Sequence, residues 1–293
     1  MPRLEGCPCS DNKANRTAAG NCRAGDAPDG LPIQCVGRWS MHKHYYLAQY
    51  IEATREVRSR FLEPRGRGGA AFIDLFAGPG LACDRHTGDI IDGSPLIALG
   101  HTAAPFSRLI FCEIDPDNVR ALTERTADDA ERVRIVPGDC NETITDIIEL
   151  IPEYGLNIAL IDPFAPRALR WDTIRALARV TRMDFIIHFP TGPIKRNFGR
   201  GTSDRRIDEM VGTDAWRADV RGARDVSKLI DHLRSSLVAL GYTHEQVRSL
   251  QIMNSRNLPI YHLVYASRHN RGNAIWQSIA RRTPDGQGEL GFR

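Results

Sequence analysis

From residue 70 onward, short continuous apolar runs alternate with stretches whose apolar positions recur every three or four residues. The runs at 70–75, 108–113, 133–137, 157–162 and 184–189 have the length and β-branched content of buried strands. Between them, 95–101, 117–126, 143–150 and 171–181 carry the helical period. This alternation predicts an α/β fold: a mainly parallel seven-stranded sheet with helices on both faces. Two later runs, 247–252 and 260–266, supply the last strands as a closing antiparallel pair. Before them, Val226, Leu229, Ile230, Leu233, Leu237 and Leu240 mark an amphipathic helix ended by Gly241.

Upstream of residue 70 the pattern changes. Leu47, Tyr50, Ile51, Thr54, Val57 and Phe61 recur at helical spacing, with Ser40 placed as an N-cap. Lys43 falls in the first turn of that helix, where the dipole disfavours a cation. It is either solvated or aimed at an anion near the helix end. Residues 63–69 read as a linker, and 1–36 as a flexible, cysteine-containing leader. Thus 37–69 form an N-terminal helix and linker, and 70–293 the α/β domain. Within it, 190–224 read as an irregular, arginine-rich element on the substrate side.

Composition alters this picture little. At 42% hydrophobic and 26% charged, the 293-residue chain has the balance of an ordinary globular protein. No apolar run approaches the ~20 residues that span a bilayer. The start, "MPRLEGCPCS", lacks the apolar core of a signal peptide, so the expected compartment is the cytoplasm, with thiols reduced. A net charge of +3 permits a nucleic-acid partner without arguing for one. Cys83, Cys112 and Cys140, near predicted strand ends, are expected as small buried hydrophobes. Cys7, Cys9, Cys22 and Cys35 match no standard zinc spacing, and no metal site is expected.

The chemistry lies at the strand ends. "FIDLFAGPG", residues 72–80, is a buried strand ending in Asp74, then a turn with two bare glycines. Such a turn lets a nucleotide-like ligand approach the backbone. The next strands end at Glu113, near Asp139 and at Asp162. Glu113 lies 39 residues after Asp74, against ~20 in a nicotinamide-binding unit. No Gly-Lys-Ser/Thr follows the turn, which excludes a P-loop.

The order of glycine loop and acids resembles class I S-adenosylmethionine-dependent methyltransferases. That resemblance implies that Asp74, Phe76, Gly78 and Gly80 face the methionine part of S-adenosyl-L-methionine. It implies Glu113 for the ribose and Asp139 for the adenine. More closely, "GRWSMHKHYYLAQY", "FIDLFAGPG", "GSPLIAL", "GDCNETI", "IDPFAP", "IIHFPTGPIKRN", "MVGTDAWR" and "IYHLVYASRH" resemble, in that order, the three-Cys-motif partner protein family. This implies a methyltransferase-like fold and a genomic-neighbour protein as a partner.

Asp162, Pro163 and Phe164 are the candidate catalytic residues. "DPFAP" is similar to the Asp/Asn-Pro-Pro-aromatic motif of amino-methyltransferases, with the aromatic one position early. The same run would also serve as a strand-to-helix turn. His188 is either a core histidine or a general base. Lys195, Arg196 and Asn197 follow on a loop, either solvated or meeting a substrate anion. With Lys43, these four make up the candidate substrate-binding set. Trp39, Trp171 and Trp216 are expected in the core. The leading function is methyl transfer to a nucleic acid or nucleotide-like acceptor. The rivals are an inactive methyltransferase-like binding partner in a mobile-element or defence system, and a nuclease.

Overall fold

The computed structural model describes residues 16–282, apart from 19, 23–24, 198, 200, 224, 226 and 254–257. Cys7 and Cys9 lie outside the described residues. Among the described residues the strands are β1 (Gln34–Val36), β2 (Ala70–Asp74), β3 (Leu81–Asp84), β4 (Ile90–Asp92), β5 (Arg108–Glu113), β6 (Val133–Pro137), β7 (Leu156–Ile161), β8 (Met183–Phe189), β9 (Val247–Met253) and β10 (Pro259–Ala266).

Seven of them form the central sheet, in the order β6-β5-β2-β7-β8-β10-β9. The first five run parallel, and β10 is antiparallel to both of its neighbours. This is a Rossmann-like, mainly parallel α/β sheet with helices on both faces, as the strand–helix alternation predicted. Successive side chains along β2 point to opposite faces. Ala71 and Ile73 enter one core, Ala70 and Phe72 the other.

The helices divide accordingly. On the second face lie α1 (Arg38–Ala53), α3 (Ser94–Leu99), α4 (Pro116–Arg125) and α11 (Asn270–Ala280), with α2 (Arg55–Ser59) extending α1. On the first lie α5 (Ile144–Glu149), α6 (Trp171–Leu177), α8 (Gly201–Val211), α9 (Trp216–Ala223) and α10 (Lys228–Ala239). α7 (Thr191–Asn197) follows β8 directly.

Several expectations change. The described part of 190–224 carries the helices α7, α8 and α9, the last two because Ile207, Met210, Val211, Trp216 and Val220 are buried at helical spacing between charged positions. Lys195 and Arg196 therefore sit on α7 rather than a loop; Pro193 is tolerated because it falls in the first turn. Residues 81–92 form the hairpin β3–β4, and β1 adds in parallel beside β3. The later part of the leader is thus packed, not flexible: Ile33 and Cys35 are buried, and Ala27, Ile33, Cys83 and Ile90 make a small separate core. α1 starts from Gly37 as its N-cap, so Ser40 lies inside the helix. Cys83, Cys112 and Cys140 are buried, as expected.

Candidate functional site

Four adjacent strands, β6, β5, β2 and β7, end in or just before Asp139, Glu113, Asp74 and Asp162. The parallel sheet therefore brings all four carboxylates to one edge. Asp74 is fully buried. Its Oδ1 accepts from the Phe76 N–H at 3.1 Å, whereas Oδ2 is buried without a donor. Burial pushes its pKa up to about 7, against the opposing influence of Ser94 and the Phe76 amide.

Gly78 and Gly80 adopt φ of +67° and +91°, the left-handed region where a side chain is strained. The Gly78 N–H donates to Glu113 Oε2 at 2.7 Å, and the Asp115 N–H donates to Oε1 at 2.8 Å. Glu113 is only 5% exposed, and burial raises its pKa. It lies beneath the turn rather than at an open rim. Asp139 is half-buried, its Oδ1 accepting from the Asn141 backbone and side-chain N–H groups at 2.9 and 2.7 Å.

Asp162 heads a second cluster. Tyr46, Leu47, Tyr50 and Ile51 bury one face of α1. Lys43, three and four residues before the first two, lies on that same face. Its Nζ donates to Asp162 Oδ2. The two side chains are 13% and 19% exposed. His188 Nδ1 lies 3.3 Å from Asp162 Oδ1 but forms no hydrogen bond there. Burial works to raise the Asp162 pKa; the charge of Lys43, with the hydrogen bond it donates, outweighs it and holds the carboxyl below its usual range. Burial drives His188 to about 4 and His44 to about 3, so both imidazoles are neutral at pH 7.

A cavity of about 300 Å³ opens on this cluster. Lys43, Asp162, Pro163, Phe164, His188 and Arg196 all line it. Phe164 is 61% exposed, its ring free to meet a ligand face. Lys195 is exposed and does not line the cavity. The side chain of Asn197 lies outside the described residues.

Sequence reasoning missed Trp39, Tyr261, Arg85 and Gln34, which complete the walls. Trp39, expected in the core, is 40% exposed and carries the Arg85 guanidinium over its ring at 4.7 Å. Trp216 is fully buried, as expected, and Trp171 partly so. Tyr261 packs on His188, with ring centroids 4.5 Å apart. Alternation along β10 could have placed Tyr261, but nothing in the local pattern marks Gln34.

No protein-family model matches the chain, and no curated protein matches it. Among solved structures, it is similar to the methyltransferase domain of bacterial CtHen1, with 16% identity, 76% of this chain and 98% of that chain covered, and a TM-score of 0.37. It is similar to cofactor-bound Rv0187 from MTB, with 12% identity, 86% of each chain covered and a TM-score of 0.45. An O-methyltransferase from Bacillus cereus in complex with SAH shares 10% identity over 77% of this chain and 80% of that chain, with a TM-score of 0.44.

Proposed function

We propose that this chain transfers a methyl group from S-adenosyl-L-methionine to a nucleic acid or nucleotide-like acceptor. The observation that carries this reading is the donorless, buried Oδ2 of Asp74 beside a left-handed glycine turn. A buried carboxylate oxygen without a partner is costly, and a ligand ammonium would satisfy it. The site residues fit the cofactor. Asp74 would hold its amine, and Gly78 and Gly80 leave the backbone bare for its methionine part, with Phe76 alongside. Glu113 would take the ribose and Asp139 the adenine. When bound, the cofactor supplies an electrophilic methyl group on a sulfonium.

The chain's own part is positioning in a dry cleft, which can supply much of the rate for a displacement. Asp162, kept ionised by Lys43, accepts a hydrogen bond from the acceptor group, and Pro163 fixes its turn. Phe164 offers a stacking face to a base, a contact worth ~1–3 kcal/mol in single-strand binders. Arg196 suits a phosphate, which a guanidinium binds through two parallel hydrogen bonds. His188, neutral in this setting, packs behind Asp162 and shields it.

The ordered motifs carry a finer proposal, that the chain is a three-Cys-motif partner protein acting beside a genomic-neighbour protein. Calorimetric titration with S-adenosylmethionine and S-adenosylhomocysteine tests the cofactor assignment. Labelled methyl transfer to mixed DNA and RNA then tests the acceptor. Binding without transfer supports the inactive-partner reading, which the covering of Asp74 and Glu113 also favours. The nuclease reading has no site among the described residues, where no three metal-ligating side chains converge.

A further inference from the structure

We propose that residues 20–22 and 25–36 form a strap that closes the methyl-donor site and must lift before the donor can enter. The inference rests on the methyl-transfer reading above. It starts from burial: the two acids meant to meet the donor, Asp74 and Glu113, are 0% and 5% exposed. The strap lies over the glycine turn that rests on Glu113.

Its two arms are zipped by backbone hydrogen bonds. Cys22 N–H donates to the Ile33 carbonyl at 2.9 Å, and Cys35 N–H to the Gly20 carbonyl at 3.0 Å. The Gln34 amide stands 3.7 Å from the position a Cβ on Gly78 would occupy, over the bare face of that glycine. Asn21 Nδ2 donates to the buried Asn118 Oδ1 at 2.7 Å, on the helix that follows Glu113. At its other side, the Phe164 ring lies 3.8 Å from the Cβ position of Gly20. The strap therefore crosses from α4, over the glycine turn, to the acceptor cavity, which it also walls.

The fastening is local. The Arg125 guanidinium holds Asp29 through two contacts of 2.8 and 2.9 Å and the Pro32 carbonyl at 2.9 Å. It also reaches the Pro79 carbonyl of the glycine turn. Beyond this clamp, the strap is held by the Asn21–Asn118 bond, by Arg85 on the Val36 carbonyl, by three residue pairs with β3 and by the small core around Ile33 and Cys83. Neither main core includes a strap residue. A segment outside both main cores can open while the sheet stays folded, since local opening costs less than global unfolding where few apolar contacts are made.

The test uses S-adenosylhomocysteine as probe, with the full chain, Asp29→Asn and Arg125→Ala. Asp29→Asn loosens the strap without touching the glycine turn, and so serves if Arg125→Ala disturbs that turn or the fold. Association is followed by stopped flow, and hydrogen exchange of 25–36 by mass spectrometry. Loosening the clamp should speed association at least about tenfold, because a larger fraction of the protein is open to ligand. Exchange in 25–36 should rise while that of β2 and β7 does not. Equal association rates in all three proteins, or slower association in the variants, overturn the strap while leaving the donor site standing. Failure of all three to bind the probe overturns both.

Discussion

Replacing Lys43 with methionine keeps the aliphatic stem and removes the charge that faces Asp162. Unit charges ~4 Å apart attract by about 4 kcal/mol at an effective dielectric near 20, but lost hydration offsets most of this. Removing one partner strands the other, at about 3–5 kcal/mol when burial is complete. Asp162 keeps 19% of its side chain in contact with solvent, so the expected loss is smaller, ~1–3 kcal/mol. The loss should depend on pH. In the parent, burial and then Lys43 hold His188 near 4, below its unfolded value, with Asp162 opposing. Between pH ~4 and ~6.5 the unfolded chain thus binds more protons, and stability rises with pH. Without Lys43, the ammonium no longer repels a proton on His188 or His44, and an imidazolium can replace it as counter-ion. The slope should flatten, and the deficit should be largest near pH ~8 and shrink toward pH ~5.5. Urea unfolding of the parent, Lys43→Met, Asp162→Asn and the double variant reads this directly. The cycle should return a coupling of ~1–3 kcal/mol. A Lys43→Met protein within about 0.5 kcal/mol of the parent near pH 8, or a coupling near zero, would show that the pair does not organise the site.

Asp74, raised to about 7, binds its proton more tightly folded than unfolded; its contribution to stability is therefore lost as pH rises through about 7. Asp74→Asn should flatten that loss in thermal melts and abolish the tightening of S-adenosylhomocysteine binding that the parent shows on approaching pH ~7. Glu113→Ala should weaken the same ligand by ~1.5–3 kcal/mol in calorimetry, and should also lower the melting temperature, since the Gly78 and Asp115 N–H groups lose their acceptor. Phe164→Ala, at a 61% exposed ring, should leave stability within about 0.5 kcal/mol while reducing retention of a single-stranded oligonucleotide; unchanged retention would remove Phe164 from the acceptor site.

β5, β7 and β8 were legible because they are buried on both faces, and the edge strand β6 because of its β-branched run: β5 and β6 occupy 108–113 and 133–137 as the apolar runs indicate, and β7 and β8 differ from theirs by one residue. The strand-end acids follow from those ends. Elsewhere the pattern was present but overlooked. Lys43 precedes Tyr46, Leu47 and Tyr50 by three, four and seven residues, which places it on the buried stripe and argues against a solvated lysine. In α8 and α9, arginine and aspartate between the buried positions masked the period; Asp208 takes both Arg217 and the Trp216 indole N–H at 2.9 Å, so charge there serves local packing. The strap was not legible, because Ala27 and Ile33 have no period and are buried against the β3–β4 hairpin, far along the chain from them.

What ties these pieces into a site is that α1 is fastened at both ends of the sheet. Toward its C-terminus, the Tyr50 hydroxyl donates to Asp184 Oδ2 at 2.6 Å and lies 2.6 Å from the Tyr265 hydroxyl. That leaves Tyr265 as the donor in the second bond. Burial raises Asp184 to about 6, with hydrogen bonds from Ser267 and Tyr50 opposing, so the carboxylate depends on them to remain charged. Seven residues earlier on the same helix, a rise of ~10 Å, Lys43 meets Asp162 at the opposite edge. Tyr46, Tyr50, Tyr265 and Trp276 pack ring against ring between the two anchors, Tyr265 stacking on Trp276 at 4.8 Å. A helix clamped in this way cannot slide by a turn without unpairing one carboxylate or the other. The position of the Lys43 ammonium, and through it the charge state of Asp162, is therefore set by an aromatic core well removed from the cavity it serves.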